Sequence, residues 1–449
     1  MATGKAWKCD VCGYVHEGDV PPDVCPVCGA TSDMFSPMAL ARDGDAPASL
    51  AGIQRLVVVG GGIAGLTAAE HARKVSSDLA ISLVVRPDEG LPYYRLNLSR
   101  LVSGEIEATS LPIKDTAWFA AQRIEVVLAE AVGVDRDASQ VRLADGRMLG
   151  FDRLVLATGS TPFVPPIPGV DEDRVLVLRT RADAERLLVR GIPHARCVCI
   201  GGGLLGLEAA GGLARRGVQV TVLETAPSLL SRQLAAPAAR LVENHLQGLG
   251  LEIRCGVKVI EIAHKSDCAG VVLADGEVLL TDFVLIAAGV RSDVRLAKAA
   301  GLTIKNGVVV DDHTATSDPR IFAAGDVAEW RGVVYGIWPA AYAQGVVAGH
   351  NAAGATDMLA PFTPSNRLRV VSQSVFSAGQ FAPSDSGFSV FERETERTYG
   401  RFVTRDGRLA GVNLVGDTGL DAAAMAAVEA ERPIAEVPEI VSYLGRPTR

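Results

Sequence analysis

The sequence predicts an α/β protein with two similar strand, glycine-turn, helix folds, a small metal-stapled module before them and an α+β domain after. Three observations predict it. The run Leu56-Val-Val-Val-Gly60-Gly61-Gly62-Ile63-Ala64-Gly65 recurs 141 residues later as Cys197-Val-Cys-Ile-Gly201-Gly202-Gly203-Leu204-Leu205-Gly206. Four cysteines fall in the first 28 residues as two C-x-x-C pairs. The last stretch alternates apolar and polar residues, as in Phe388-Ser-Val-Phe391 and Arg408-Leu-Ala-Gly-Val-Asn-Leu-Val415.

Size and charge agree with such a chain. At roughly 150 residues per domain, 449 residues make about three domains. The formal net charge is −8 and no dense basic run is present, which argues against nucleic acid or anionic lipid as a partner. Hydrophobic residues at 48% and charged residues at 21% are globular composition. No apolar run approaches the ~18 residues of a spanning helix. The longest uncharged stretch, Gly332 to Ala355, holds Pro339, Gln344, His350 and Asn351 and reads as a loop and a buried helix. The first residues carry no apolar signal region, so a cytoplasmic location is expected.

Cys9, Cys12, Cys25 and Cys28 are the expected metal ligands. Each pair is followed by glycine (Gly13, Gly29), giving two tight turns whose thiolates complete a tetrahedral sulfur set that suits iron and zinc equally. A module of about 36 residues is too short to fold on apolar burial alone, so the metal must staple it. The segment Trp7-Lys-Cys-Asp-Val-Cys-Gly-Tyr14, then Pro21-Pro22-Asp-Val-Cys-Pro-Val-Cys-Gly and Phe35, resembles the short rubredoxin domain of rubrerythrins. That resemblance implies one iron and an electron carrier, with Trp7, Tyr14 and Phe35 packed beside the site. Residues 1–36 carry a net charge of −3, unlike the basic zinc ribbons that grip nucleic acid, although a zinc ribbon remains the alternative. With four thiolates in the shell, His16 reads as a surface residue. Residues 37–54, rich in Ala, Asp, Gly, Pro and Ser, read as a flexible linker.

From Arg55 the first glycine turn begins. In such a turn the first glycine permits the bend, the second lets backbone approach a pyrophosphate, and the third lets helix lie on strand, so that the helix N-terminus faces negative charge. The next strand should end in an acid for a ribose. Val218-Gln-Val-Thr-Val-Leu-Glu224 obeys this rule, whereas the first unit has Arg86 at the strand end and Asp88 or Glu89 must reach back. Leu154-Val-Leu-Ala-Thr158-Gly159-Ser160 closes the first unit, Leu285-Ile-Ala-Ala-Gly289 closes the second, and Ile321-Phe-Ala-Ala-Gly325-Asp326 returns as a strand ending in glycine and acid.

Together these motifs make residues 55 to 360 resemble the two-dinucleotide flavoprotein superfamily, with two Rossmann-like domains. The resemblance implies an FAD domain at 55–169 and 291–360, with Gly60, Gly62, Gly65, Asp88, Arg95, Thr158, Gly159, Gly325 and Asp326 at the cofactor. It implies an NAD domain at 170–290, with Gly201, Gly203, Gly206, Glu208 and Glu224 at the nicotinamide nucleotide. Pro92-Tyr93-Tyr94-Arg95-Leu-Asn-Leu-Ser99 and Pro165-Pro166-Ile-Pro168-Gly169 narrow it to NADH:rubredoxin oxidoreductases and the flavin part of assimilatory nitrite reductase large subunits. Several ferredoxin-reducing relatives have Lys after that serine, where this chain has Arg100. The flavin-face cysteines of disulfide and peroxide reductases are absent, and Leu96, Asn97 and Leu98 stand in that region. Cys197 and Cys199 share one face of a strand and read as core. Residues 361–449 are expected to form the α+β C-terminal domain.

The expected activity is transfer of electrons from NADH through FAD to the chain's own rubredoxin-type iron and on to an external redox protein. That acceptor could be a rubrerythrin, a flavodiiron protein, a superoxide reductase or a nitrate/nitrite assimilation component. Two alternatives stay open: an NADH oxidase or ferredoxin reductase with a zinc-bound docking module, and a non-catalytic redox sensor.

Overall fold

The computed structural model describes residues 5–9, 14–26, 30–39, 52–264, 268–361, 363, 365–371, 373–383 and 386–445. The N-terminal module is a three-stranded antiparallel sheet in the order Val15–Glu17, Lys5–Cys9, Phe35–Ala39. Cys9 N–H donates to the Tyr14 carbonyl (2.6 Å) and Cys25 N–H to that of Ala30 (2.7 Å), so each first cysteine opens a closed turn. The third strand runs past the expected boundary at 36, with Pro37 opposite Trp7 and Ala39 opposite Lys5. Pro37 is tolerated because this strand is at the sheet edge. Residues 40–51 of the expected linker lie outside the described residues.

The first Rossmann-like fold is a five-stranded parallel sheet in the order Ile321–Ala323, Arg153–Leu156, Arg55–Val59, Ala80–Val85, Ile124–Leu128. Its central strands are apolar at almost every position because both faces are covered, one by helices and the other by a layer that includes Val141, Leu143 and Phe151. On one face the helices Ile63–Val75 and Trp338–Ala352 pack closely, since a side chain at Gly345 or Gly349 would strike the backbone of Ala64 or Ala68. The chain leaves this fold along Ser160–Pro162 and returns along Val290–Ser292, and these two segments pair antiparallel. That pair is the neck of the insertion that the family resemblance implies.

The inserted fold repeats the plan, with parallel strands in the order Val175–Leu176, Phe283–Ile286, Arg196–Ile200, Gln219–Glu224, Glu252–Cys255. Cys197 and Cys199 are buried in its core. The C-terminal domain is a five-stranded antiparallel sheet backed by the helices Asp421–Glu429 and Pro438–Leu444. It shares a core with the inserted fold through Val371, Val375, Tyr399 and Val415. Buried Asn413 secures that junction, accepting from Ala235 N–H (2.9 Å) and donating to the Gln233 carbonyl (2.9 Å). Among the described residues no helix is long and apolar enough to cross a membrane.

Candidate functional site

Both glycine turns have the same build. Gly60 and Gly201 adopt φ of +119° and +120°, a left-handed conformation that glycine adopts without a Cβ penalty. A side chain on Gly65 would collide with the Gly60 carbonyl, and one on Gly206 with the Gly201 carbonyl. Gly62 and Gly203 instead head their helices with nothing within 4 Å of where a Cβ would stand. Each turn thus leaves open backbone at a helix N-terminus, which fits a pyrophosphate.

From the first turn a cavity of about 710 Å³ runs toward the inserted fold. Gly60, Gly62, Arg95, Thr158, Gly159, Gly325 and Asp326 line it. Asp326 accepts from Ser160 Oγ (2.8 Å) and Arg179 Nη2 (3.1 Å), and Gly325 N–H donates to Gln344 Oε1 (2.8 Å). Arg179 also donates to the Ser160 carbonyl and its pKa is lowered, by burial first and by neighbouring Arg95 second. Arg95 bonds the Arg179 carbonyl and Glu89, and its guanidinium lies 5.2 Å from the Tyr93 ring centroid. Glu89 joins the cavity wall, gripped by Arg86, Arg95 and the Tyr93 hydroxyl, whereas Asp88 is exposed and pairs only with Arg86 among its described partners. The acid turned into the site is therefore the second of the two that the sequence offered. This open, glycine-floored and arginine-walled space fits a dinucleotide such as FAD.

At the far end the wall belongs to the inserted fold, through Leu204, Leu205 and Glu208. Glu208 is half-buried in the cavity wall, and Ser99 Oγ donates to it at 3.1 Å. Desolvation pushes its carboxyl up to about 7, the Ser99 bond only partly opposing this. No cation pairs with it among the described residues, because Arg100 turns away to Asn97 and Glu105. At the second turn Glu224 accepts from Gly202 N–H (2.7 Å) and Ala226 N–H (2.7 Å), which holds its carboxylate at the strand end where a ribose would lie.

The cavity wall also meets the cysteine module, through Trp338. Buried Cys9, Cys25, Ala30 and Phe35 form one small cluster with Tyr94, against which Trp7, Tyr14, Met34, Ile113 and Trp338 pack. Tyr14 meets Tyr94 edge-on, their centroids 6.4 Å apart. Trp338 lines the cavity as well, so one side chain is common to both sites. Asn97 Nδ2 donates to the Pro26 carbonyl at 2.7 Å, one residue beyond Cys25. Cys12 and Cys28 lie outside the described residues. The two buried thiols that are described are soft donors suited to iron or zinc. His16 is half-buried beside Tyr14. Sequence reading had no signal for Arg179, Asn97 or Trp338, whose partners are distant in the chain.

Two nested dinucleotide folds around one cavity define an oxidoreductase of the pyridine-nucleotide class. The model of the pyridine nucleotide-disulphide oxidoreductases matches residues 54–345, and the chain belongs to that family. Residues 7–36 match the rubredoxin-like domain of rubrerythrin, and 364–432 the C-terminal domain of rubredoxin NAD+ reductase. Nitrite reductase [NAD(P)H] of Bacillus subtilis is 33% identical over 393 residues, covering 87% of this chain and 49% of the relative. Rubredoxin-NAD(+) reductase of Pseudomonas putida is 32% identical over 287 residues, 63% of this chain and 74% of that protein. The solved NADH:rubredoxin oxidoreductase of Clostridium acetobutylicum superposes with a TM-score of 0.74 at 25% identity, covering 87% of this chain and 99% of that one. The chain spans about half the length of the nitrite reductase it matches.

Proposed function

We propose that this chain oxidises NADH and delivers the electrons one at a time to an iron held by Cys9, Cys12, Cys25 and Cys28, and from there to an external redox protein. FAD, when bound, supplies the conversion that the chemistry requires, since a nicotinamide gives two electrons together and a four-thiolate iron takes one. Gly60, Gly62, Gly65, Thr158, Gly159, Gly325, Asp326 and Arg95 hold the flavin nucleotide. Gly201, Gly203, Gly206 and Glu224 hold the nicotinamide nucleotide, and Glu208 closes the junction between the two. The outer acid of the flavin ribose is Glu89 in place of Asp88.

The observation that carries this reading is the seating of the cysteine module against the cavity wall, where Trp338 both lines the cavity and packs on the cluster that holds Cys9 and Cys25. The acidic module supports iron over a nucleic-acid-binding zinc ribbon, and the external carrier would meet its outward surface. The test is anaerobic mixing of the iron-loaded full chain with NADH. Bleaching of the iron–thiolate absorption after flavin reduction supports the reading, and an iron that stays oxidised while the flavin is reduced refutes it.

A further inference from the structure

Arg100 stands where several relatives carry a lysine near the flavin, yet it does not line the cavity. Its guanidinium divides between two partners, with Nη1 on Asn97 Oδ1 (3.4 Å) and Nε on Glu105 Oε2 (3.3 Å). Glu105 is held in turn by Arg215 of the inserted fold's helix Leu204–Arg215. Asn97 is only 2% exposed, and with Oδ1 committed to Arg100 its amide presents Nδ2 to the Pro26 carbonyl. An Asn amide turned the other way would set oxygen against oxygen there.

We infer that Asn97, oriented by Arg100, is the latch that seats the cysteine module on the flavin cavity. Arg100 is thus a positioning residue for module docking. A lysine holds the pair less well, because the guanidinium serves Asn97 and Glu105 from two nitrogens in fixed directions, whereas an ammonium must serve both from one. The rest of the described contact is an apolar and aromatic cluster, with Phe35, Tyr14, Met34 and Trp338 around Tyr94. Such packing has little directional preference, so the hydrogen bond sets the register, and its loss shifts the docking equilibrium about fivefold. A latch of this strength keeps the module seated for electron transfer and still lets it release toward a carrier. This last point rests on the proposed function, whereas the latch itself does not.

The test uses the full iron-loaded chain with Asn97→Leu and, separately, Arg100→Lys, read by small-angle scattering and by anaerobic mixing with NADH. Both variants are expected to enlarge the radius of gyration as the module detaches. Both are also expected to slow iron reduction up to about fivefold while flavin reduction by NADH is unchanged, since neither residue lines the cavity. Arg100→Lys alters a partly exposed side chain, so it reports even if Asn97→Leu misfolds. A scattering profile identical to wild type in the folded variants overturns the latch, whatever the rates do. Failure of wild-type iron to accept electrons refutes the proposed function instead, and the scattering comparison still decides the latch.

Discussion

Glu208→Gln removes a half-buried acid from the cavity wall at little cost in shape. The wild-type carboxyl is pushed from 4.5 to about 7, chiefly by desolvation, with Glu105 adding a smaller push and Ser99 pulling back. Holding that carboxylate ionised in the folded state therefore costs roughly 3 kcal/mol. The folded pKa lies above the unfolded one, so the folded state binds the extra proton and stability falls as pH rises through the window from 4.5 to about 7. About 2 kcal/mol of this falls between pH 5.5 and 8.5, which for a domain of this size corresponds to roughly 4–8 °C in melting temperature. The Gln variant carries no such titration. Its melting temperature relative to wild type is expected to rise by that amount on going from pH 5.5 to 8.5. Infrared difference spectra of the wild type are expected to lose one protonated carboxyl near pH 7, and those of the variant are not. A temperature difference that stays constant across this range, with no carboxyl titrating above pH 6, refutes the reasoning.

Gly65→Ala drives a methyl group into the Gly60 carbonyl, and the turn must open to admit it; purified protein is expected to lose more than half of its FAD, measured as flavin absorbance per chain. Glu224→Ala frees the amides of Gly202 and Ala226 and removes the charge that repels a ribose 2′-phosphate. The ratio of kcat/KM for NADH over NADPH is expected to fall at least tenfold, about 1.4 kcal/mol, and an unchanged ratio would assign selectivity elsewhere, with exposed Arg232 the next residue to alter.

The parts of this protein that repeat locally were legible in its sequence. Gly60, Gly62 and Gly65, and their counterparts at 201, 203 and 206, announce their role because bend, open backbone and helix contact are all set within six residues. Glu224 was legible for the same reason, as the end of the following strand. Asp88 and Glu89 were not separable, since which of two adjacent acids turns inward depends on Arg95 and Tyr93 folding back over them. Pro37 read as the start of a linker, and only its pairing with Trp7 across a sheet edge makes it strand. Arg100 stood out in the sequence only as a departure from the lysine of several ferredoxin-reducing relatives. Its actual partner Asn97 bonds a carbonyl 71 residues away, a contact that no local pattern encodes. The junctions escaped the sequence and the cradles did not, because a cradle is made by one segment and a junction by several.

Whether electrons leave through the module's own metal is decided by comparing iron-loaded and zinc-loaded full-length chain, each reduced anaerobically by NADH in the presence of an oxidised one-electron carrier protein such as a rubredoxin. Zinc keeps the four-thiolate fold but does not change oxidation state. Equal flavin reduction is expected in the two forms, with carrier reduction by the iron form alone. Iron reduction is expected at a rate independent of protein concentration, because a tethered module stays near the millimolar range of effective concentration. Carrier reduction by the zinc form as fast as by the iron form would contradict electron exit through that metal.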